Sequence, residues 1–303
     1  MTHENFGFCE NDAISNKIHH LVANNLLGVE QLDKIKRRYD DMRNNFFSYP
    51  KDFVTGDKKE WKFSEGLEPF TPKGREFYYG DTTAVPIPIT HSNFKDLTSR
   101  AKGHGRGAIG LDIPTWFYHT PDAPFIMIVA QDPLRSAEWY GDKKDEKFIC
   151  KDAVVSSPFG LQDAHHRENG NGGKRMWLLV RALFEKGYNV YLTDCRKFFV
   201  YDHHESDVYT TSEKMNLYRN ILKEEIVIIN PKLIVTLGHN ADKSCRSLLG
   251  DDYRLSGYIP HFCGTAGHKI SDFFNVERKT GIKELAELYA AHIENLIEEN
   301  PNL

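Results

Sequence analysis

The chain has 303 residues, of which 40% are hydrophobic and 27% charged, a composition typical of a globular protein with one large or two modest domains. Its 39 basic and 43 acidic residues give a formal charge of −4, so a nucleic-acid partner requires a local basic face rather than a positive field over the whole molecule. The sequence holds no run of about 18 apolar residues and no basic start followed by an apolar core, so we expect a cytoplasmic protein.

The first 124 residues are predicted to form a helical and irregular region of unknown role. Apolar residues recur at helical spacing between residues 12 and 47, with a break near Gly28, which predicts two helices. Residues 48–124 hold many prolines and glycines and little periodicity, so we expect irregular structure with short strands around the later domain. Lys102 and Arg106 lie here in a glycine-rich stretch suited to contact phosphates, the alternative being a solvated loop.

Four apolar runs in the rest of the chain predict buried strands. The first, FIMIVAQDP from Phe125 to Pro133, is a continuous apolar run closed by a proline, which is typical of a strand buried on both faces of a parallel sheet. Three further runs follow at 188–192, 233–237 and 254–259, and helical patterns separate them. This alternation predicts a three-layer α/β/α domain over residues 125–303, with a central, mostly parallel four-stranded sheet.

Each predicted strand is followed by a residue whose side chain could take part in catalysis or binding: Asp132, Asp194, His239 or Asn240, and His261. Because the carboxyl ends of parallel strands meet at one edge of the sheet, where ligands bind in open α/β folds, we expect these residues to line one crevice. His239 fits the start of a helix better than a catalytic role. Independent core strands have no structural need to end in this way.

The sequences of these segments, and their order along the chain, resemble the motifs of the uracil-DNA glycosylase superfamily. The matching stretches are AQDP after the first strand, SPFG downstream, LTDC after the second strand, NPKLIVTLGHNA around the third and IPHFCG after the fourth. The resemblance covers residues 125 to about 296. It implies a DNA glycosylase that flips a pyrimidine out of DNA and hydrolyses its N-glycosidic bond, leaving an abasic site. It also implies a role in DNA repair or in defence against modified foreign DNA.

The chemistry of that reaction suits the residues at the strand ends. Asp132 would orient a water and stabilise positive charge on the sugar, and His261 would donate a hydrogen bond to an oxygen of the departing base. Phe159 would stack on the base, while backbone amides near Gln131 hold its other oxygen. The alternatives are structural: turn chemistry for Asp132, a core phenylalanine, and a satisfied histidine with His268 as the rival donor.

Departures from the family's pattern bear on the substrate. Asp194 replaces an asparagine of the family's pattern. An ionised Asp194 can only accept hydrogen bonds, which suits the exocyclic amine of cytosine. If burial beside Asp132 protonates it, Asp194 would instead donate a hydrogen bond to uracil. Leu134 replaces a tyrosine that blocks the 5-position of the base, so a 5-substituent gains room. Phe262 and Cys263 replace Pro-Ser, which leaves the loop that grips DNA and the wedge residue unassigned. We therefore expect a modified or damaged pyrimidine, such as a 5-substituted cytosine or uracil.

We expect single- or double-stranded DNA as the partner and a monomeric protein. We expect no membrane association, no cofactor and no bound metal. The candidate DNA contacts are basic or imidazole side chains: Lys102, Arg106, His268 and Lys269. The five cysteines are far apart without a Cys-x-x-Cys pair, so they support neither a disulfide framework nor a zinc or iron–sulfur site. The adjacent His165 and His166 match no ligand spacing.

Other classes of function stay open. One is a nucleosidase or small-nucleotide hydrolase on the same kind of sheet, which the acidic net charge favours. Another is a catalytically inactive relative that binds DNA or a protein through the first 124 residues, although Asp132 and His261 argue against it. A metallophosphoesterase built from the Asp and His residues at 202–207 is a weaker alternative.

Overall fold

The computed structural model describes residues 13–32, 48–49, 54, 85–88, 108–133, 152–161, 167, 171–201, 212–250, 255–262 and 267–299. They form a mixed α/β structure. Its α-helices are α1 (Ala13–Val22), α2 (Asn171–Glu185), α3 (Ser212–Ile229), α4 (Gly238–Leu249), α5 (Gly267–Phe274) and α6 (Ile282–Glu299). Its strands are β1 (Ser48–Tyr49), β2 (Val85–Pro88), β3 (Ala108–Asp112), β4 (Thr115–Phe117), β5 (Phe125–Ala130), β6 (Asp152–Ser156), β7 (Asn189–Asp194), β8 (Phe198–Tyr201), β9 (Leu233–Leu237) and β10 (Leu255–Ile259).

The main sheet has six strands in the order β1-β4-β7-β5-β9-β10. Strands β7, β5, β9 and β10 run parallel to one another, and they are the four that the apolar runs predict. Every residue of β5, β7 and β9 is buried, which explains the continuous apolar sequence of β5 and the nearly continuous one of β9. Strand β4 lies antiparallel to β7, and β1 lies parallel to β4.

The prediction of a single four-stranded sheet is wrong. Strands β4 and β1 extend the main sheet, and a second sheet has four strands in the order β2-β6-β3-β8. In this second sheet β6 is antiparallel to β2 and parallel to β3, and β3 is antiparallel to β8. Most of the additional strands are short and lie among prolines and glycines, so their sequences show no alternation of apolar and polar residues. They still contribute to the core, because Trp116 and Phe117 of β4 are fully buried.

Both sheets combine strands from before and after residue 124, the predicted boundary between two regions. Strand β4 pairs with β7, while β2 and β3 pair with β6. Helix α1 continues as a π-helical turn (Ala23–Leu27) up to Gly28, whose φ of +79° breaks the helix where the sequence predicts. Most of the second predicted N-terminal helix lies outside the described residues. The division into two domains stays a prediction.

The helices fall into two contact groups. Helix α2 contacts α6, whereas α3 contacts α1 and α4. The ends of α2 and α3 follow the sequence signals: Gly187 has a φ of +87° just after α2, and α3 stops before Asn230 and Pro231. Within the part of the chain that the structure describes, no helix has the length and apolar character needed to cross a membrane.

Strand β5 lies where the strand order reverses. The chain passes from β5 to β7 on one side, and later places β9 and then β10 on the other side. In open α/β sheets, ligands bind outside the carboxyl ends of the strands at such a reversal, because the loops that leave the neighbouring strands separate there. The carboxyl ends of β5, β7, β9 and β10 therefore lie at one edge of the sheet, and Asp132, Asp194, Gly238 and His261 lie at or just after these ends.

Candidate functional site

Asp132 follows β5 closely and is partly buried. The side-chain amide of Gln131 donates a hydrogen bond to Asp132 Oδ2 over 2.9 Å, which fixes the orientation of the carboxylate. The carbonyl oxygen of Gln131 in turn accepts hydrogen bonds from the Arg196 backbone N–H (3.0 Å) and from the Cys195 thiol (3.1 Å). The turn after β7 therefore holds the backbone immediately before Asp132.

Asp194 is the last residue of β7 and is only 3% exposed. Its Oδ2 atom is buried and makes no hydrogen bond within the described structure. The strand register places it opposite Ala130, at the end of β5. Burial first, and then the negative charges of Asp112 and Asp132, raise the pKa of Asp194 well above its ordinary value, while Lys197 acts in the opposite direction. The protonated form of Asp194 is therefore favoured.

The segment that carries His261 is held on both sides. The hydroxyl of Tyr289, in α6, donates to the carbonyl of Pro260 over 2.8 Å, and the guanidinium of Arg175, in α2, donates to the carbonyl of Phe262. The buried ring of Phe262 packs edge-on against Tyr289, with ring centroids 4.5 Å apart. Phe262, which departs from the family's pattern, thus anchors the backbone of His261 to the core.

The side chain of His261 is partly buried, and this burial lowers the pKa of His261, which favours the neutral imidazole. Its ring lies beside that of Phe159, with centroids 5.9 Å apart and planes inclined by 35°. Phe159 has a φ of +61°, which is uncommon for a residue other than glycine. Gly172 of α2 lies against the same ring, since a Cβ built there would be 3.4 Å from Phe159 Cδ1. Phe159 is thus held between α2 and His261.

Gly238 lets His261 approach the end of β9. Its φ is +81°, and a Cβ built on it would lie 3.2 Å from the Cβ of His261. We expect Gly238→Ala to displace the imidazole toward solvent, so that the pKa of His261 measured by NMR returns toward its ordinary value. The variant should also lose about 1–2 kcal/mol of unfolding free energy, because alanine is strained at positive φ.

Gly187→Ala is the matched control for this variant. Gly187 has a similar φ of +87°, but a Cβ there would meet no atom within 4 Å. The control should therefore show the backbone strain without any change at His261. If both variants leave the histidine signals unchanged, Gly238 does not position His261.

Sequence reasoning missed Asp112, a buried residue at the carboxyl end of β3 in the second sheet. Strand β3 pairs antiparallel with β8, and Leu111 lies opposite Phe198, so Asp112 comes beside the turn between β7 and β8. The segment AIGLDIP around Asp112 has the same form as FIMIVAQDP, an apolar run that ends in an aspartate and is closed by a proline. This similarity in the sequence could have identified Asp112 as a residue at the end of a buried strand.

The other predicted residues fall into two groups. Three lie outside the described residues: Leu134, Lys102 and Arg106. The same holds for the alternative metal ligands at 165–166 and 202–207. His268 and Lys269 are exposed in the first turn of α5, after the His261 segment. His239 is exposed in the first turn of α4 and its ring contacts Tyr258, as expected of a residue at a helix start.

Contacts connect the remaining residues into one site. The Gln131–Cys195 hydrogen bond joins the segments of Asp132 and Asp194, the turn of Phe159 contacts β7, and Phe159 contacts His261. No group of three His, Cys, Asp or Glu side chains in the described ranges is placed to hold a metal ion. A carboxylate, a buried carboxyl group with a raised pKa, an imidazole with a lowered pKa and an aromatic ring together suit the cleavage of a bond to a planar heterocycle that accepts hydrogen bonds.

No protein-family model and no curated protein matches the chain. The resemblance to the uracil-DNA glycosylase superfamily therefore rests on the sequence motifs alone.

Proposed function

We propose that the protein is a DNA glycosylase that hydrolyses the N-glycosidic bond of a pyrimidine flipped out of DNA and leaves an abasic site. The observation that carries this proposal is the pair formed by Asp132 and Asp194 at the strand-order reversal. One carboxyl group accepts a hydrogen bond from Gln131, and the other is buried with a raised pKa. Two nearby carboxyl groups in such different environments are suited to different roles in one reaction.

Asp132 acts on the sugar in this proposal. Cleavage breaks the bond between C1′ and the ring nitrogen, both electrons leave with the base, and positive charge builds at C1′. The carboxylate of Asp132 stabilises that charge and takes a proton from the water whose oxygen bonds to C1′. The hydrogen bond from Gln131 keeps the carboxylate in one orientation during these steps.

His261 and Phe159 act on the base. Negative charge develops on an oxygen of the departing pyrimidine, and the neutral imidazole of His261 donates a hydrogen bond to it. Burial lowers the pKa of His261 and so favours the neutral imidazole, which keeps one N–H to donate. Phe159, held against Gly172, offers its ring to the face of the flipped base.

The wider architecture supports the same proposal. Right-handed crossovers between parallel strands would put α2 on one face of the main sheet and α3 and α4 on the other. The contacts of α6 with α2, and of α1 with α3, agree with that division. We therefore infer the three-layer α/β/α arrangement that the resemblance implies.

Base release from modified oligonucleotides tests the proposal. Duplex and single-stranded oligonucleotides would carry uracil, cytosine, 5-methylcytosine, 5-hydroxymethylcytosine or glucosylated cytosine, with abasic sites detected as alkali-labile strand breaks. We expect breaks at one or more of the modified pyrimidines or at uracil. Release from free nucleosides alone would instead support a nucleosidase, and DNA binding without any release would support an inactive relative.

A further inference from the structure

Helix α2 is bonded or packed to both segments that act on the base in the proposed function. Its Gly172 lies against the ring of Phe159, since a Cβ built there would be 3.4 Å from Phe159 Cδ1. Its Arg175 donates a hydrogen bond from Nη1 to the carbonyl oxygen of Phe262, the residue directly after His261. Residues three apart lie on one face of a helix, so both contacts come from the same side of the start of α2.

A contact between two rings closes this arrangement. The ring centroids of Phe159 and His261 are 5.9 Å apart, with planes inclined by 35°. The turn Pro158–Gly160, which carries Phe159, also contacts α2. Phe159, His261 and the start of α2 are therefore joined in a closed set of contacts, and a shift of the His261 segment would change the gap between the two rings.

Arg175 is a charged residue of this set that the proposed reaction does not use. Its side chain is partly buried, and the first turn of α2 contains no acidic residue. A positive charge near the N-terminal end of a helix opposes the helix dipole, so the stability of α2 does not explain an arginine here. The hydrogen bond to the Phe262 carbonyl does explain it, because a charged donor bonds a carbonyl oxygen more strongly than a neutral one.

We propose that Arg175 is a positioning residue that holds the His261 segment at a fixed separation from Phe159, so that stacking and hydrogen bonding act on the base together. This inference rests on the proposed function. The two interactions need one and the same position of the flipped base, with its face on one ring and its oxygen at the other. Tyr289 holds the segment on its other side, through the carbonyl of Pro260. Arg175 is thus the anchor that connects the segment to the helix against which Phe159 packs.

The titration of His261 reports whether its ring stays in place. Burial lowers the pKa of His261, and the charge of Arg175 does not contribute to this shift. If the segment moves outward, the imidazole gains solvent and its pKa rises toward the ordinary value. A rate that depends on the neutral imidazole then begins to fall at a higher pH on the acid side of its profile.

The variant Arg175→Met tests the inference by single-turnover base release. Methionine keeps an unbranched stem but removes the donor. The rate constant at saturating DNA should fall by about tenfold to a hundredfold, and the acid side of the pH–rate profile should move to higher pH. Arg175→Lys keeps a charged donor and should recover part of the rate. Lys174→Met is the matched control, since it removes a charge from the adjacent, partly buried position, and it should change neither the rate constant nor the profile.

A double variant tests the coupling between the two rings. Phe159→Leu removes the stacking ring, and its effect is compared with those of Arg175→Met and of both changes together. Residues that act on one base position are not additive, so the double variant should lose less than the product of the two single losses. A loss equal to that product overturns the coupling.

An NMR titration of the histidines gives a measurement that needs no DNA. The His261 signal is assigned by its loss in His261→Gln, and its midpoint should rise in Arg175→Met but not in Lys174→Met. An unchanged midpoint overturns the positioning role and leaves the glycosylase. A loss of DNA affinity in Arg175→Met with an unchanged rate constant also overturns it, because Arg175 would then be a DNA contact. If no oligonucleotide releases a base, the proposed function fails, and the role in base release fails with it even where the midpoint rises.

Discussion

Asp132→Asn should lower the rate of base release by about a thousandfold, within the range expected for loss of a catalytic base. The amide still accepts a hydrogen bond from Gln131 through its oxygen, so the local structure should persist. It carries no negative charge, however, and it cannot take the proton from the attacking water. The measurement is single-turnover release from the best oligonucleotide of the panel, with DNA affinity measured alongside.

The control variant, Asp122→Asn, removes the same charge from a position that is not part of the proposed site. Asp122 is exposed in the turn before β5, on the same chain segment as the catalytic candidate. Asp122→Asn should leave both the rate and the DNA affinity unchanged. A rate for Asp132→Asn within about tenfold of the unaltered protein would show that Asp132 is not the base and does not stabilise the transition state.

The parallel core of the main sheet could be predicted from the sequence because burial on both faces leaves a clear pattern. Strand β5 consists of six buried residues and stops at Gln131, so the pattern gives both its position and the residue at its end. The positions of Asp132, Asp194 and His261 follow from the same rule, since they come after predicted parallel strands. The sequence therefore predicts where these three residues lie, and their chemical roles stay a prediction.

The second sheet could not be predicted in the same way. Strand β3 has five residues and a glycine in its middle, and it is followed closely by Pro114, so no periodicity separates it from the loops. Its contribution to the site, Asp112, depends on pairing with β8 far along the chain. The anchors of His261 were missed for a related reason. Arg175 and Tyr289 lie in helices whose patterns predict only their apolar faces, not the carbonyl groups they bind.

A buried ion pair was also missed, because lysine and glutamate are expected at the surface. Lys197 and Glu225 are each 1% exposed, and their charged groups are 2.7 Å apart. Thr193 donates to Glu225 over 3.0 Å and accepts from Lys197 over 2.7 Å, so the pair has a third hydrogen-bonding partner. This cluster ties α3 to the turn after β7, next to Asp194.

Glu225→Gln should therefore lower the free energy of unfolding by about 3–5 kcal/mol, because it leaves the ammonium of Lys197 buried without a counter-charge. Glutamine keeps the size of the side chain and one hydrogen-bond acceptor, so packing changes little. Chemical denaturation at neutral pH measures the loss. The matched control is Glu287→Gln, which breaks the surface pair Lys283–Glu287, whose side chains are 80% and 57% exposed. That change should stay within about 0.5 kcal/mol.

A double variant separates the buried charge from the loss of a hydrogen bond. Lys197→Met combined with Glu225→Gln removes both charges, so it should recover much of the stability that Glu225→Gln loses alone. The comparison matters for the site as well, because Lys197 lies in the turn that positions Asp194 and lowers its pKa. A loss below about 1 kcal/mol in Glu225→Gln would mean that the pair is not buried in solution. With the pair intact, Glu225 holds the turn after β7 on one side and the Gln131 carbonyl holds it on the other, so the backbone of Asp194 is tied to the segment of Asp132.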